Sequence, residues 1–360
     1  MEERVVKICA SVSMILMLLV CSAFFYLPKL HVYEEQVREE YRKEAALRDQ
    51  LVDMTGLEIL QYNTIVSEQS DGEQQFREQL RMQLPEGIDE KSVAIGDDYL
   101  NQTITVSIPG ADSDYMLRYP MVGDPDHIVS LTYESVNGNG YVDIQTDQVF
   151  EYESRIEEGY LYLDFVDPHK LYDKVVVIDA GHGGSMPGAT RGSIYEKNID
   201  LAITEELFRL FAEPGNEKIR VYYTRLDDSN PSFEQRVGLA NKANADVFIS
   251  IHNNTSSSRS STTGTTVLYD EKKQEDPLGS KRLAEICEQE VTAALGSKDQ
   301  GLTEGNEIYI LRNATVPAAL VEVGFMSNKE ELQKLTTPEY QHAAAVGIYN
   351  AIHQAFEEGF

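Results

Sequence analysis

Cysteine is nearly missing from this chain. Of 360 residues, only Cys9, Cys21 and Cys287 are cysteines, and the first two lie in one apolar segment near the amino terminus. A disulfide framework and a cysteine-based zinc site are therefore excluded from everything after that segment. The shortage does not decide the compartment, because exported proteins can be stable without disulfides. Basic residues are also scarce: 31 lysines and arginines face 60 aspartates and glutamates, a formal net charge of −29. The first thirty residues hold Glu2, Glu3, Arg4, Lys7 and Lys29, a net of +1, so the remainder carries −30. A chain this acidic is no nucleic-acid binder, because phosphate recognition depends on lysine and arginine. At long range it is repelled by anionic membrane surfaces and anionic wall polymers. Solubility is the plain reading of the acidity. No internal repeat is found.

What is present is apolar material for a sizeable core. Hydrophobic residues make up 42% of the chain, which excludes wholesale disorder. The length suits two modest domains or one large one. One long uncharged run exists, the twenty residues Ile8 to Leu27. At ~1.5 Å per residue it spans the ~30 Å hydrocarbon core of a membrane. Arg4 and Lys7 precede it, which predicts a cytoplasmic tip and membrane helix over 1–30 with the remainder outside. The competing reading is a cleaved signal peptide, with Cys21 and Ala23 at the −3 and −1 positions, and secretion of the rest. Phe24, Phe25 and Tyr26 continue the apolar run past that point, which favours an uncleaved anchor. Val20 before Cys21 makes a poor lipoprotein signal. From His31 to Gln50 the chain is dense in charge, with Tyr33, Val37, Tyr41 and Ala45 recurring every four positions. That pattern predicts a solvated helical stalk over 31–60; a weak dimerising coiled coil is the sharper alternative.

Phe76, Leu80 and Leu84 predict a short amphipathic helix stopped by Pro85. From about Ser92 the apolar period becomes two. Thr103–Ile108, Ile128–Tyr133, Tyr141–Thr146 and Tyr160–Phe165 all alternate, with a hairpin turn at Asn137–Gly140. Residues 61–167 thus read as a small β-rich module without a catalytic cluster. Its role, whether wall binding, spacing or packing, stays open. After Asp167 and Pro168 strands alternate with helices. Strands are expected over Lys174–Ile178, Ile219–Tyr223, Val247–Ile251, Thr265–Tyr269, Glu307–Leu311 and Ala318–Val323. Helices are expected near Asn198–Phe211, Ser232–Ala243 and Leu278–Leu295, with two more at the end. This is an α/β fold over 168–360, a mixed, mostly parallel sheet with helices on both faces.

In open α/β sheets, ligands bind beyond the carboxyl ends of the strands. His182 follows the strand "VVVIDA", His252 follows "DVFISI", Glu322 ends "AALVEV", and Glu196 opens the first helix. Two imidazoles and two carboxylates can therefore converge on one cleft. Zinc takes neutral imidazole nitrogen and carboxylate oxygen and keeps a position for water. His182, Glu196 and His252 could be its ligands, and Glu322 could move the proton between water and a leaving amine. Gly181, Gly183 and Gly184 would leave room around His182 and permit a tight turn. Each residue also has a plain reading. A histidine at a strand end is usually just hydrogen-bonded, as expected of His127, His342 and His353. Glu196 could merely favour a helix dipole. Glu322 is harder to set aside, because a carboxylate inside an apolar run is costly unless paired or placed on a metal.

The stretch from Val175 to the carboxyl terminus resembles the zinc-dependent N-acetylmuramoyl-L-alanine amidases of the type 3 family. The matching pieces are "IDAGHGG" (178–184), "PGA" (187–189), "EKNIDLAI" (196–203), "TRLDD" (224–228), "RVGLANKANADVFISIHNN" (236–254) and "PAALVEVGFMSNKEE" (317–331). The resemblance implies one zinc held by His182, Glu196 and His252, with Glu322 as catalytic acid and base. It implies hydrolysis of the amide between the lactyl group of N-acetylmuramic acid and the L-alanine of the stem peptide, with peptidoglycan as substrate. Arg312, at a strand end facing the same way, could contact substrate or form a surface salt bridge. Met186 stands where the family often has an acid. Between His252 and Glu322 there is room for one ordinary helix and no long helix that would plug the zinc. The β-rich module is placed like the wall-targeting modules of some amidases. Two other readings compete with the enzyme: a wall-binding scaffold on an amidase fold that needs a partner or has no turnover, and another zinc peptidase. An activator protein would leave no mark in this sequence.

Overall fold

The computed structural model describes residues 60–61, 79–256, 261–273 and 278–360. The apolar run Ile8–Leu27, the charged stretch after it and Phe76 lie outside the described residues. Among the described residues no helix is long and apolar enough to cross a membrane.

The segment before Asp167 forms two antiparallel sheets. Strands β1 (Leu60–Gln61), β3 (Ala94–Asp98), β4 (Thr103–Pro109), β6 (Ile128–Val136) and β7 (Asn139–Thr146) run in the order β1-β6-β7-β4-β3. Strands β2 (Leu80–Gln83), β5 (Val122–Gly123), β8 (Glu151–Glu157) and β9 (Tyr160–Val166) run in the order β5-β2-β9-β8. A single turn of helix, α1 (Tyr115–Arg118), lies between β4 and β5. Strict alternation gives each sheet one apolar face. Ile104, Val106, Leu131, Tyr133, Val142 and Ile144 meet Leu80, Met82, Leu161 and Leu163 in one cluster. Asn137 and Gly138 both have positive φ (53° and 79°). That is the pair of left-handed residues that a two-residue hairpin loop requires, and it sets the β6–β7 register. The helix expected through Leu80 and Leu84 is instead strand β2, paired antiparallel with β9. A spacing of four fits both periods, and Met82, buried between the two leucines, follows the period of two.

Helix α2 (Pro168–Leu171), capped by the Asp167 side chain, leads into the α/β part. Strands β10 (Lys174–Ala180), β13 (Ile219–Tyr223), β14 (Val247–Asn254), β15 (Thr265–Tyr269), β16 (Asp299–Glu304) and β17 (Ala318–Phe325) form one sheet, ordered β13-β10-β14-β17-β15-β16. All neighbours are parallel except β15 against β17. A two-stranded ribbon, β11 (Thr190–Arg191) and β12 (Ile194–Tyr195), stands beside it. Helices α3 (Glu196–Phe211), α5 (Ser280–Leu295), α7 (Lys329–Leu335) and α8 (Pro338–Glu358) cover one face, over Val176, Ile178, Ile249, Ile251 and Val321. Helices α4 (Phe233–Lys242) and α6 (Tyr309–Asn313) cover the other, over Val175, Val177, Phe248 and Leu320.

Two elements depart from expectation. The strand expected over Glu307–Leu311 is helix α6, because Ile310, Leu311 and Ala314 are buried together against α4 at helical spacing. Strand β16, "DQGLTE", is too polar and glycine-interrupted to read as a strand, and it forms by pairing with β15. The sandwich meets the α/β part along β13 and α4. Tyr222 Oη donates to Glu151 (2.6 Å), Gln235 Nε2 to Asn101 Oδ1 (2.7 Å) and Lys242 Nζ to Gln102 Oε1 (2.7 Å).

Candidate metal centre

Four strand and helix ends deliver the four side chains singled out in the sequence. Strand β10 stops at Ala180, and His182 follows in the left-handed region (φ 58°), an uncommon conformation for a residue with a β-carbon. Glu196 is the first residue of α3. His252 lies in β14 and Glu322 in β17, paired across the two strands, so both project from the same face of the sheet.

His182 Nε2 lies 3.1 Å and His252 Nδ1 3.0 Å from the same oxygen, Glu196 Oε1. The two imidazoles meet edge to face, with centroids 4.8 Å apart. Glu196 Oε1 also accepts from Asn253 N (3.1 Å), and Oε2 from Ala189 N (2.6 Å). Burial works against the charge of Glu196, but the hydrogen-bonded imidazoles outweigh it and hold the carboxyl well below its usual range. Glu322 is treated in the opposite way. Burial first, then the charge of Glu196, push its carboxyl up to about 8. Its Oε2 is buried without a hydrogen-bond partner.

Two imidazole nitrogens and a carboxylate oxygen this close need protons or a cation among them. Two neutral nitrogens and one anionic oxygen are a donor set that fits zinc. Close packing explains two glycines. A β-carbon at Gly181 would stand 2.5 Å from His252 Nε2 and 2.7 Å from its Nδ1. One at Gly188 would stand 2.5 Å from Glu196 Oε2 and 2.7 Å from His182 Cδ2. The sequence suggests that Gly183 and Gly184 leave room for a ligand around His182, but the structure shows otherwise. Their missing side chains would run into the backbone at Ser229 and the side chain of Asn230.

A sequence profile described as N-acetylmuramoyl-L-alanine amidase matches residues 176–354. The Germination-specific N-acetylmuramoyl-L-alanine amidase of Bacillus subtilis (strain 168) is 31% identical over 202 residues, 52% of this chain and 82% of that protein. The chain belongs to the N-acetylmuramoyl-L-alanine amidase family. Another relative, the uncharacterized protein YqiI of the same organism, is 35% identical over 187 residues, 51% of this chain and 86% of YqiI. Among solved structures, the catalytic domain of CwlV from Bacillus (Paenibacillus) polymyxa var. colistinus is 36% identical. It is covered to 98% by 51% of this chain, with a TM-score of 0.47.

In this amidase-family chain the structure adds a residue that the sequence reading missed. Asp200, one turn after Glu196 on α3, is fully buried. Its donor atom lies within 4.8 Å of those of His182, Glu196 and His252. Asp200 Oδ1 accepts from Asn253 Nδ2 (2.7 Å), and Oδ2 has no hydrogen-bond partner. Burial and the charge of Glu196 push its pKa well above the ordinary value, which favours the neutral acid beside Glu196. The spacing of four on one helix was the signal available for it. Arg312, expected at a strand end, lies on α6. It is half exposed, and its guanidinium pairs with Glu307 at 3.8 Å, the surface salt bridge that was the alternative.

Proposed function

We propose that this chain is a zinc-dependent peptidoglycan amidase, hydrolysing the amide between N-acetylmuramic acid and the L-alanine of the stem peptide. One observation carries the reading: His182 Nε2 and His252 Nδ1 converge on one oxygen of Glu196, with the buried carboxyl of Glu322 beside them. His182, Glu196 and His252 would hold the zinc. Bound there, zinc would supply Lewis acidity toward the amide carbonyl and would lower the pKa of a water towards neutrality. Glu322 would accept the proton given up by the attacking water. As the carbon–nitrogen bond breaks, Glu322 would pass that proton to the departing alanine nitrogen and end as it began.

The same proposal places residues 1–30 in the membrane, on the strength of the uncharged run Ile8–Leu27 and the basic residues before it. The stalk, the β sandwich as accessory module and the amidase domain over 168–360 then lie outside the cell. Secretion after signal cleavage is the alternative. The test is incubation of the zinc-loaded full chain with purified peptidoglycan, with mass spectrometry for stem peptides that begin with L-alanine. Their release, abolished by a chelator, is the expected result. An intact wall after incubation with the zinc-loaded protein would sink the self-sufficient enzyme and leave the scaffold or an activator-dependent enzyme. Cleavage elsewhere in the stem would make it a peptidase.

A further inference from the structure

The left-handed turn that carries His182 is held by two buried arginines. Arg236 Nη1 donates to Ala180 O (2.6 Å), and its Nη2 donates to His182 O (2.5 Å). Arg225 Nε donates to Ala180 O (3.0 Å), and its Nη2 to Gly181 O (2.6 Å). Three consecutive carbonyls therefore each accept from a guanidinium. Arg225 and Arg236 are 2% and 3% exposed. Asp179, 1% exposed, anchors Arg236. Its Oδ1 accepts from Arg236 Nη1 (2.7 Å) and Thr224 Oγ1 (2.6 Å), and its Oδ2 from Ser250 Oγ (2.6 Å).

These contacts reach all three metal-facing segments. Arg225 Nη2 also donates to Lys197 O (2.9 Å), the residue after Glu196. Gly181 N donates to Ile251 O (3.0 Å), the residue before His252. Among the described residues, His182 Nδ1 has no protein hydrogen-bond partner, while the backbone around His182 is held directly. We propose that Arg225 and Arg236, the latter anchored by Asp179, are positioning residues that set the metal affinity of His182 through its backbone. A left-handed backbone persists where its surroundings over-determine it, and a planar guanidinium fork can hold two carbonyls where an ammonium is a point charge. The inference rests on the zinc reading above.

The test uses the full chain, with Arg225→Lys and Arg236→Lys kept separate. Zinc affinity is read by competition with a chromogenic chelator. The site itself is read by the visible absorption of bound cobalt(II). The expected result is a loss of zinc affinity of about tenfold or more, the range for partners that orient ligands, with an altered cobalt spectrum. Leu207→Ala, a core truncation about three turns further along α3 from Glu196, serves as control. Unchanged affinity and spectrum in a folded lysine variant would overturn the proposal, as would an equal loss in the control. If neither lysine variant folds, Ser250→Ala removes one donor from Asp179 and leaves both arginines. A smaller loss of affinity then supports the proposal, and no loss overturns it. A wild-type chain that binds no zinc would end both this inference and the functional reading. Zinc binding without turnover would end only the latter.

Discussion

His252 and Glu322 sit opposite each other on adjacent parallel strands, β14 and β17, as register partners. One side chain joins the cluster around Glu196; the other ends in a buried carboxyl oxygen without a hydrogen-bond partner. In the mechanism we propose, sheet geometry would separate holding a metal from moving a proton, while keeping the two neighbours. Glu322→Gln keeps shape and removes the titrating group. It should retain zinc by metal analysis and lower turnover by about 10²–10⁴, the usual worth of a general acid–base group. Wild-type turnover in the variant would remove Glu322 from the mechanism.

His182→Ala deletes one of the three converging donors. The purified variant should contain less zinc than the parent at the same free-metal concentration. Full occupancy would mean that the ligand set is wrong.

Gly181→Ala tests the close approach of the turn to His252. The added methyl has to share space with the imidazole. Overpacking of this kind costs about 1–3 kcal/mol, readable as a lower urea midpoint. Zinc occupancy should fall with it, because the ring that must move carries a donor. Parental stability and occupancy together would show that the turn has slack.

Glu288, buried on α5 and outside the proposed ligand set, should make stability depend on pH. Burial, with the Asp299 carboxyl beside it, raises its pKa from an ordinary 4.5 to about 8. Its Oε1 accepts from Gly301 N (3.1 Å), and Oε2 has no hydrogen-bond partner. An acid whose pKa rises on folding binds its proton more tightly in the native state. Its favourable contribution is full below about pH 4.5 and is lost as pH climbs towards 8. Glu288→Gln should therefore narrow the gap between melting temperatures at pH 5.5 and 8.5, mainly by raising the latter. An unchanged gap would show that Glu288 does not titrate in this window.

Much of this was legible before the structure. The strands 103–109 and 160–166 alternate cleanly, and "VVVID" is a continuous apolar run, so their period announced them. The misread elements had ambiguous signals. Leu80 and Leu84 fit both periods, "EIYIL" alternates like a strand yet buries Ile310 and Leu311 side by side, and "DQGLTE" carries no pattern at all. Among site residues, the two histidines and Glu322 stood out because such groups are conspicuous at strand ends or inside apolar runs. Asp200 looked like an ordinary polar residue of a helix, and Arg225 and Arg236 like ordinary surface cations.

The sequence by itself determined the element types wherever periodicity was strong, the order of the strand ends, and the residue types capable of holding zinc. These are local properties, written in spacing and chemistry along the chain. Only the tertiary structure decided that two imidazoles share one oxygen of Glu196, that Asp200 is buried beside them, and that Arg225 and Arg236 hold the carbonyls of residues 180–182. Apart from the His182–Glu196 contact, 14 positions apart, each depends on segments brought together across the sheet at sequence separations of 44 to 56, over which sequence pattern carries no register. Burial does the rest. The same carboxyl is held low at position 196 and raised at 322 by surroundings that exist only once the chain has folded.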